Sequence, residues 1–219
     1  MRGRGFTLIE LAIVILIIGL LFGGVLKGQS LFQAAKVSNA LALAQDLSAA
    51  VNAFKQQYRL LPGDMSITSI TPEVPNVRTE CKSGGSNAGD NNGLIDAGAS
   101  GTKDESRCVS EVLSKAGLAK ADQEGGWAVF KSYYGPVTVK AARLSPGVTA
   151  AIAASYPFPA THVVEFANLP CAVAQEMDRK IDNDNLVSGK GVAGNFVPDP
   201  NNPLTCAADS FVPFYAVAL

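Results

Sequence analysis

A single histidine in 219 residues leaves little scope for proton-transfer chemistry. It is His162, set in an apolar, strand-like run with no nucleophile motif near it, and it reads as a structural side chain. No serine or cysteine stands in a G-x-S-x-G or comparable frame, and no Gly-rich loop offers its amides to a phosphate. An enzyme is not expected. Basic and acidic residues nearly cancel, 18 against 19, and no cluster of Lys and Arg marks a nucleic-acid surface. Polar side chains are missing altogether from Leu11 to Leu26.

That last absence organises the N-terminus. Counted back to Phe6, the run contains only Thr7 and Glu10 as polar residues, and as a helix it is long enough to cross the apolar part of a bilayer. Glu10 is the anomaly. A carboxylate carried into such a span costs roughly 2.5–3.5 kcal/mol, so it belongs near an edge, in a pair, or to a function. A secretory signal peptide fits poorly, because the apolar run exceeds about 15 residues and no A-x-A-like site follows promptly. A plain anchor with Arg2 and Arg4 on the cytoplasmic side explains the length but neither Glu10 nor the abrupt Gly5-Phe6 junction.

The stretch GFTLIELAIVILIIGLL resembles the class III signal of type IV pilins and type II secretion pseudopilins. It has a short basic leader, Gly at the cut, Phe as first mature residue, Glu as the fifth, and then an apolar helix. The resemblance implies that a prepilin peptidase cuts after Gly5 and methylates the new amine of Phe6. It also implies that Glu10 pairs with the Phe6 amine of a neighbouring subunit, an ion pair that relieves two otherwise unfavourable charges in a low-dielectric setting. Loss of Arg2 and Arg4 with the leader would take the basic residues from 18 to 16 against 19 acidic ones.

The implied architecture is α+β: a long N-terminal helix packed on an antiparallel sheet, a lollipop with residues 1–5 as leader, 6–30 as membrane or filament-core helix, 31–61 as amphipathic stem and 62–219 as the extracytoplasmic globular domain. The sequence pattern agrees. Leu47, Val51, Phe54, Tyr58 and Leu61 form a helical stripe ended by Pro62-Gly63. One helix over 6–60 would measure about 80 Å. Gly19, Gly23, Gly24 and Gly28 either soften it or let helices pack closely. Many major pilins carry proline where this chain has Lys27, a departure that leans toward a minor or divergent subunit. The stem also resembles a pilin subgroup whose helix ends in a Y-x-x-L-P-G-D-like turn, here Tyr58 to Asp64.

Beyond the stem, turn-rich sequence precedes a helix expected over Ser106–Leu118. Strand signals occupy Gly125–Val139, Val148–Ile152, His162–Ala167 and the last residues, with a helix around Ala172–Lys180. Trp127 reads as a core or interface aromatic. Cys81, Cys108, Cys171 and Cys206 contain no C-x-x-C pair and, outside the inner membrane, are expected as two disulfides. Three connectivities are open, and the nearest-neighbour one, Cys81 with Cys108 and Cys171 with Cys206, is expected. Asp90, Asn92 and Asp96 alternate like oxygen ligands of a structural calcium ion, and Asp178, Asp182 and Asp184 form a second acidic run. The first loop fails the EF-hand pattern.

The expected function is therefore assembly: a subunit that polymerises from the bacterial inner membrane into a homo-oligomeric pilus-like filament with other pilins and inner-membrane machinery. A pseudopilin of a type II secretion piston is the alternative, with a periplasmic or extracellular filament in either case. An anchored periplasmic binding domain that never polymerises is the alternative of another class.

Overall fold

The computed structural model describes residues 7–65, 74, 76–82, 87–97, 104–145, 148, 160–182 and 184–219, with backbone only at 25–27, 29 and 30. Contacts divide the chain into two units, Met1–Ser38 and Asn39–Leu219.

A single helix, α1 (Leu8–Tyr58), runs through both without a break. Ala, Leu and Gln dominate its second half, and no proline falls inside it, so nothing removes a backbone donor. In the first unit every described side chain from Thr7 to Gly24 is exposed, and a Cβ at Gly19, Gly23, Gly24 or Gly28 would meet nothing within 4 Å. The helix stays regular through these glycines. In the second unit Ala40, Ala44, Leu47, Ala50, Val51 and Phe54 are buried. Their spacing of three and four residues puts them on one face. This half of the stem thus belongs with the globular unit, because its side chains are part of that unit's core. Phe54 and Tyr58 stack with ring centroids 4.4 Å apart. The helix stops at Tyr58, where Arg59 adopts φ 60°, three residues ahead of the expected Pro62-Gly63 stop.

Among the described residues, helices α2 (Ser106–Lys115) and α3 (Cys171–Ile181) and six strands follow: β1 (Asp122–Glu124), β2 (Trp127–Ser132), β3 (Gly135–Ala141), β4 (His162–Pro170), β5 (Gly191–Gly194) and β6 (Phe211–Ala218). The strands form one antiparallel sheet in the order β1-β2-β3-β4-β6-β5. The architecture is α+β, as expected. The segment Gly125–Val139 resolves into a hairpin, while β1 and β5 are additional: β1 is short and wholly exposed, and β5 consists of Gly, Val and Ala, so neither shows alternation. Of the strand expected at Val148–Ile152, only Val148 lies within the described residues, and it is buried.

Both faces of the sheet are covered. Val139, Val164 and Phe166 lie on one face; Val163, Val192 and Ala216 lie on the other with Ala142 and Val148. That second face also holds an ion pair, Lys140 Nζ to Glu165 Oε1 at 2.5 Å, with side chains only 12% and 6% exposed. The cysteines pair Cys81 with Cys108 and Cys171 with Cys206, at Cα separations of 5.6 and 5.8 Å. The first bridge ties the segment after the stem to α2. The second ties α3 to the loop before β6.

Candidate functional site

The N-terminal site begins at Thr7, since Gly5 and Phe6 lie outside the described residues. The Thr7 amide and hydroxyl both donate to Glu10 Oε2 at 2.8 Å, and the Glu10 amide lies 3.4 Å from Thr7 Oγ1. This reciprocal pattern is a capping box, written in the sequence as T-L-I-E. It satisfies donors that a helix start otherwise leaves unpaired. Glu10 therefore has a local role that the family resemblance did not suggest. One oxygen serves the cap; the other, Oε1, has no hydrogen bond among the described residues. A carboxylate so held presents one free oxygen at the very start of the helix.

Apolar side chains from Leu8 to Phe22 surround this carboxylate on the helix surface, with exposures of 44–88% for the large ones. Among the described residues, no helix is long and apolar enough to cross a membrane. The apolar run with described side chains is Leu8–Gly24, at 1.5 Å per residue about 25 Å, somewhat short of a hydrocarbon core. The longer span expected from the sequence draws on Phe6, Val25 and Leu26, which fall outside that run.

A second constellation forms where the stem ends. The turn Pro62-Gly63-Asp64 places the Asp64 carboxylate under the loop 90–93: Asn92 donates to Oδ1 at 3.0 Å and Gly93 to Oδ2 at 2.7 Å. The Asp64 carbonyl accepts from the Asn91 amide at 2.9 Å. Glu105, just ahead of α2 and fully buried, holds the same loop from the other side, accepting from the Asp90 and Asp96 amides at 3.2 and 2.9 Å. Oxygens of Asp64, Asp90 and Glu105 lie within 4.8 Å of one another. Three carboxylates this close resemble the donor set of a hard cation, but backbone amides already occupy Asp64 and Glu105.

Of the three expected ligands, only Asp90 joins this cluster. Asp96 instead pairs with Arg143 at 2.9 Å and accepts from the Asn92 side chain at 3.4 Å, while Asn92 Oδ1 takes the Leu94 amide. Asp64 and Glu105 were missed because they are distant in sequence. The L-P-G-D turn was the available signal. In the other acidic run the buried Asp178 is central, accepting from the Asn185 amide at 2.6 Å and from Tyr215 Oη at 3.1 Å. Asp182 receives the Lys190 amide. Around Asp182 and Asp184 no metal-ligating triad forms among the described residues.

Burial, with help from Asp64, Asp90 and Asp96, pushes the Glu105 carboxyl up to about 7; burial likewise raises Asp64. A carboxyl with a raised folded-state pKa contributes stability that is complete below about 4.5 and is lost as pH rises through about 7. The loss amounts to a few kcal/mol at most. His162 acts oppositely, since burial and Lys55 lower its pKa; its Nε2 accepts the Ile95 amide at 3.3 Å and so stays unprotonated near neutrality. Burial pushes the Asp178 carboxyl up to about 7 as well, so between pH 8 and 6.5 the two carboxyls are expected to dominate: the melting temperature rises as pH falls, and Glu105→Gln reduces the slope by the Glu105 share. An unchanged slope in that variant would remove Glu105 as a source of it. Repeating the scan with calcium and with chelator tests the metal expectation.

Residues 1–26 match the family described as the prokaryotic N-terminal methylation motif. Motif and α+β fold together are consistent with a type IV pilin-like or pseudopilin subunit. The matched range includes Gly5, Phe6 and Glu10, and the motif implies processing by a prepilin peptidase and assembly with pilin-type subunits. Neither the curated proteins nor the solved structures compared with the chain gave a match.

Proposed function

We propose that the chain is a structural subunit cleaved after Gly5, methylated at the Phe6 amine, and polymerised from the inner membrane into a type IV pilus-like filament. The carrying observation is the methylation motif at residues 1–26 joined to a helix whose apolar first unit has every described side chain exposed from Thr7 to Gly24. Exposed apolar surface on this scale requires a nonaqueous neighbour. Lipid supplies it before assembly, and the stems of other subunits supply it afterwards. The globular unit, cross-linked by two disulfides, suits an oxidising compartment outside the inner membrane.

The mass of the mature N-terminal peptide, taken from cells with an intact prepilin peptidase, tests the first step. A peptide beginning with N-methylated Phe6 is the expected result. One beginning at Met1, or cut beyond Leu26, would make the segment a plain anchor or a conventional signal peptide and overturn the proposal.

A further inference from the structure

The sole tryptophan stands beside a hollow between α2 and the β2–β3 hairpin, with a volume of about 290 Å³. Its accessible apolar lining is Val129 and Pro136, on the same face of the hairpin as Trp127, while Ala128, Phe130, Val137 and Val139 are buried beneath it. Its mouth carries exposed Arg107, Glu124 and Thr138 beside half-buried Trp127. An apolar interior with a few polar groups at the entrance is the usual make-up of a small-ligand pocket.

The charges at the mouth sort by partner. Glu124 is neutralised by Lys131 at 2.7 Å, and Arg78 by Glu80 at 3.6 Å while its guanidinium also donates to the Gly126 carbonyl. Arg107 has no ion pair among the described residues. Both guanidiniums sit on the Trp127 ring, with their central carbons 4.7 and 4.8 Å from its centroid. Two consequences follow. The ring is already engaged by cations and is not free to stack on a neutral sugar. Arg107 is held in place by the ring, which reduces the ordering cost of forming a forked hydrogen bond to an anion.

We propose that this pocket binds a single carboxylate carried on an apolar body about the size of one side chain, with the carboxylate on Arg107 and the apolar body against Val129 and Pro136, which share the Trp127 face of the hairpin. Such a group occurs on a free small acid or on the C-terminal residue of a polypeptide. Because Trp127 is the only tryptophan, its fluorescence reports occupancy directly.

The test is a titration of the full chain in detergent micelles with N-acetyl-L-phenylalanine, with its C-terminal amide, and with a tetrapeptide ending in phenylalanine. The acid is expected to shift Trp127 fluorescence with a dissociation constant on the order of 1 mM or tighter. The amide and Arg107→Gln are each expected to weaken binding about tenfold or more. Arg107 is exposed, so this variant should keep its melting temperature, and Arg107→Lys should bind at an intermediate level. Tighter binding of the tetrapeptide assigns a polypeptide C-terminus as the source; tighter binding of the acid assigns a small metabolite. Equal responses to acid and amide, or no saturable response to either acid or tetrapeptide, would overturn the proposal.

Discussion

Gly89→Ala is expected to destabilise the globular unit by about 3 kcal/mol or more, a large part of the stability of a domain this size. A Cβ at Gly89 would lie 2.1 Å from the Asp64 carbonyl carbon, 2.4 Å from its oxygen and 2.5 Å from the Met65 nitrogen. All three are backbone atoms and cannot rotate aside. Relief would require the loop to lift off the turn, breaking the Asn91 bond to the Asp64 carbonyl and the two amide bonds to its carboxylate. Gly93 provides the internal control. Its φ of +83° disfavours alanine, but a Cβ there meets nothing within 4 Å, so the cost is limited to about 1–2 kcal/mol. Thermal unfolding of both variants, followed through Trp127, compares them directly. Equal losses would show that close approach at Gly89 is not what holds the loop to the turn.

This knot also shows what the sequence could and could not convey. The turn L-P-G-D is visible in the sequence, and the loop GDNNGLID is visibly turn chemistry, but nothing local indicates that one docks on the other. In the structure the turn explains itself. Gly63 has φ +90°, and a Cβ on it would approach the Glu105 carbonyl to 2.7 Å; Asp64 supplies acceptors for the loop's amides. The acidic spacing that suggested metal ligands serves in part to cap its own loop, as in the Asn92 bond to the Leu94 amide. Local patterns of this kind announce oxygen donors without saying whether a backbone amide or a cation will use them.

The elements legible in advance were those with long periodicity or strong β character. The stem stripe at Leu47, Val51 and Phe54 faces the core, and β4 and β6 fall where Val and Phe are concentrated. Short strands escaped notice because their place is fixed by register with a neighbour: β1 pairs Glu124 with Trp127 across a two-residue turn, and β5 pairs Ala193 with Tyr215. The buried pair Lys140–Glu165 was likewise invisible, since it forms only when β3 and β4 align. At the N-terminus the situation is reversed. The motif was plain in sequence, and the structure adds the capping box at Thr7 and Glu10.

That addition gives Glu10 a capping role separable from the assembly role proposed for it, and Glu10→Gln is expected to abolish filament formation while leaving cleavage after Gly5 intact. Glutamine keeps a side-chain acceptor for the Thr7 amide and preserves the capping box in kind, but it carries no charge. Alanine removes both. If capping were the important role, Glu10→Gln would assemble and Glu10→Ala would lose only the ~1 kcal/mol of a helix cap. If Glu10 Oε1 takes the Phe6 amine of the next subunit, both variants leave a buried cation unpaired at every interface. The cost is then roughly 3–5 kcal/mol per contact, more than a hundredfold in each association constant. Repeated along a polymer, a penalty of that size prevents elongation. Electron microscopy of sheared filaments, beside mass measurement of the mature N-terminus, reads assembly and cleavage separately. Normal filaments from Glu10→Gln would show that the carboxylate is retained in the apolar helix only to start it.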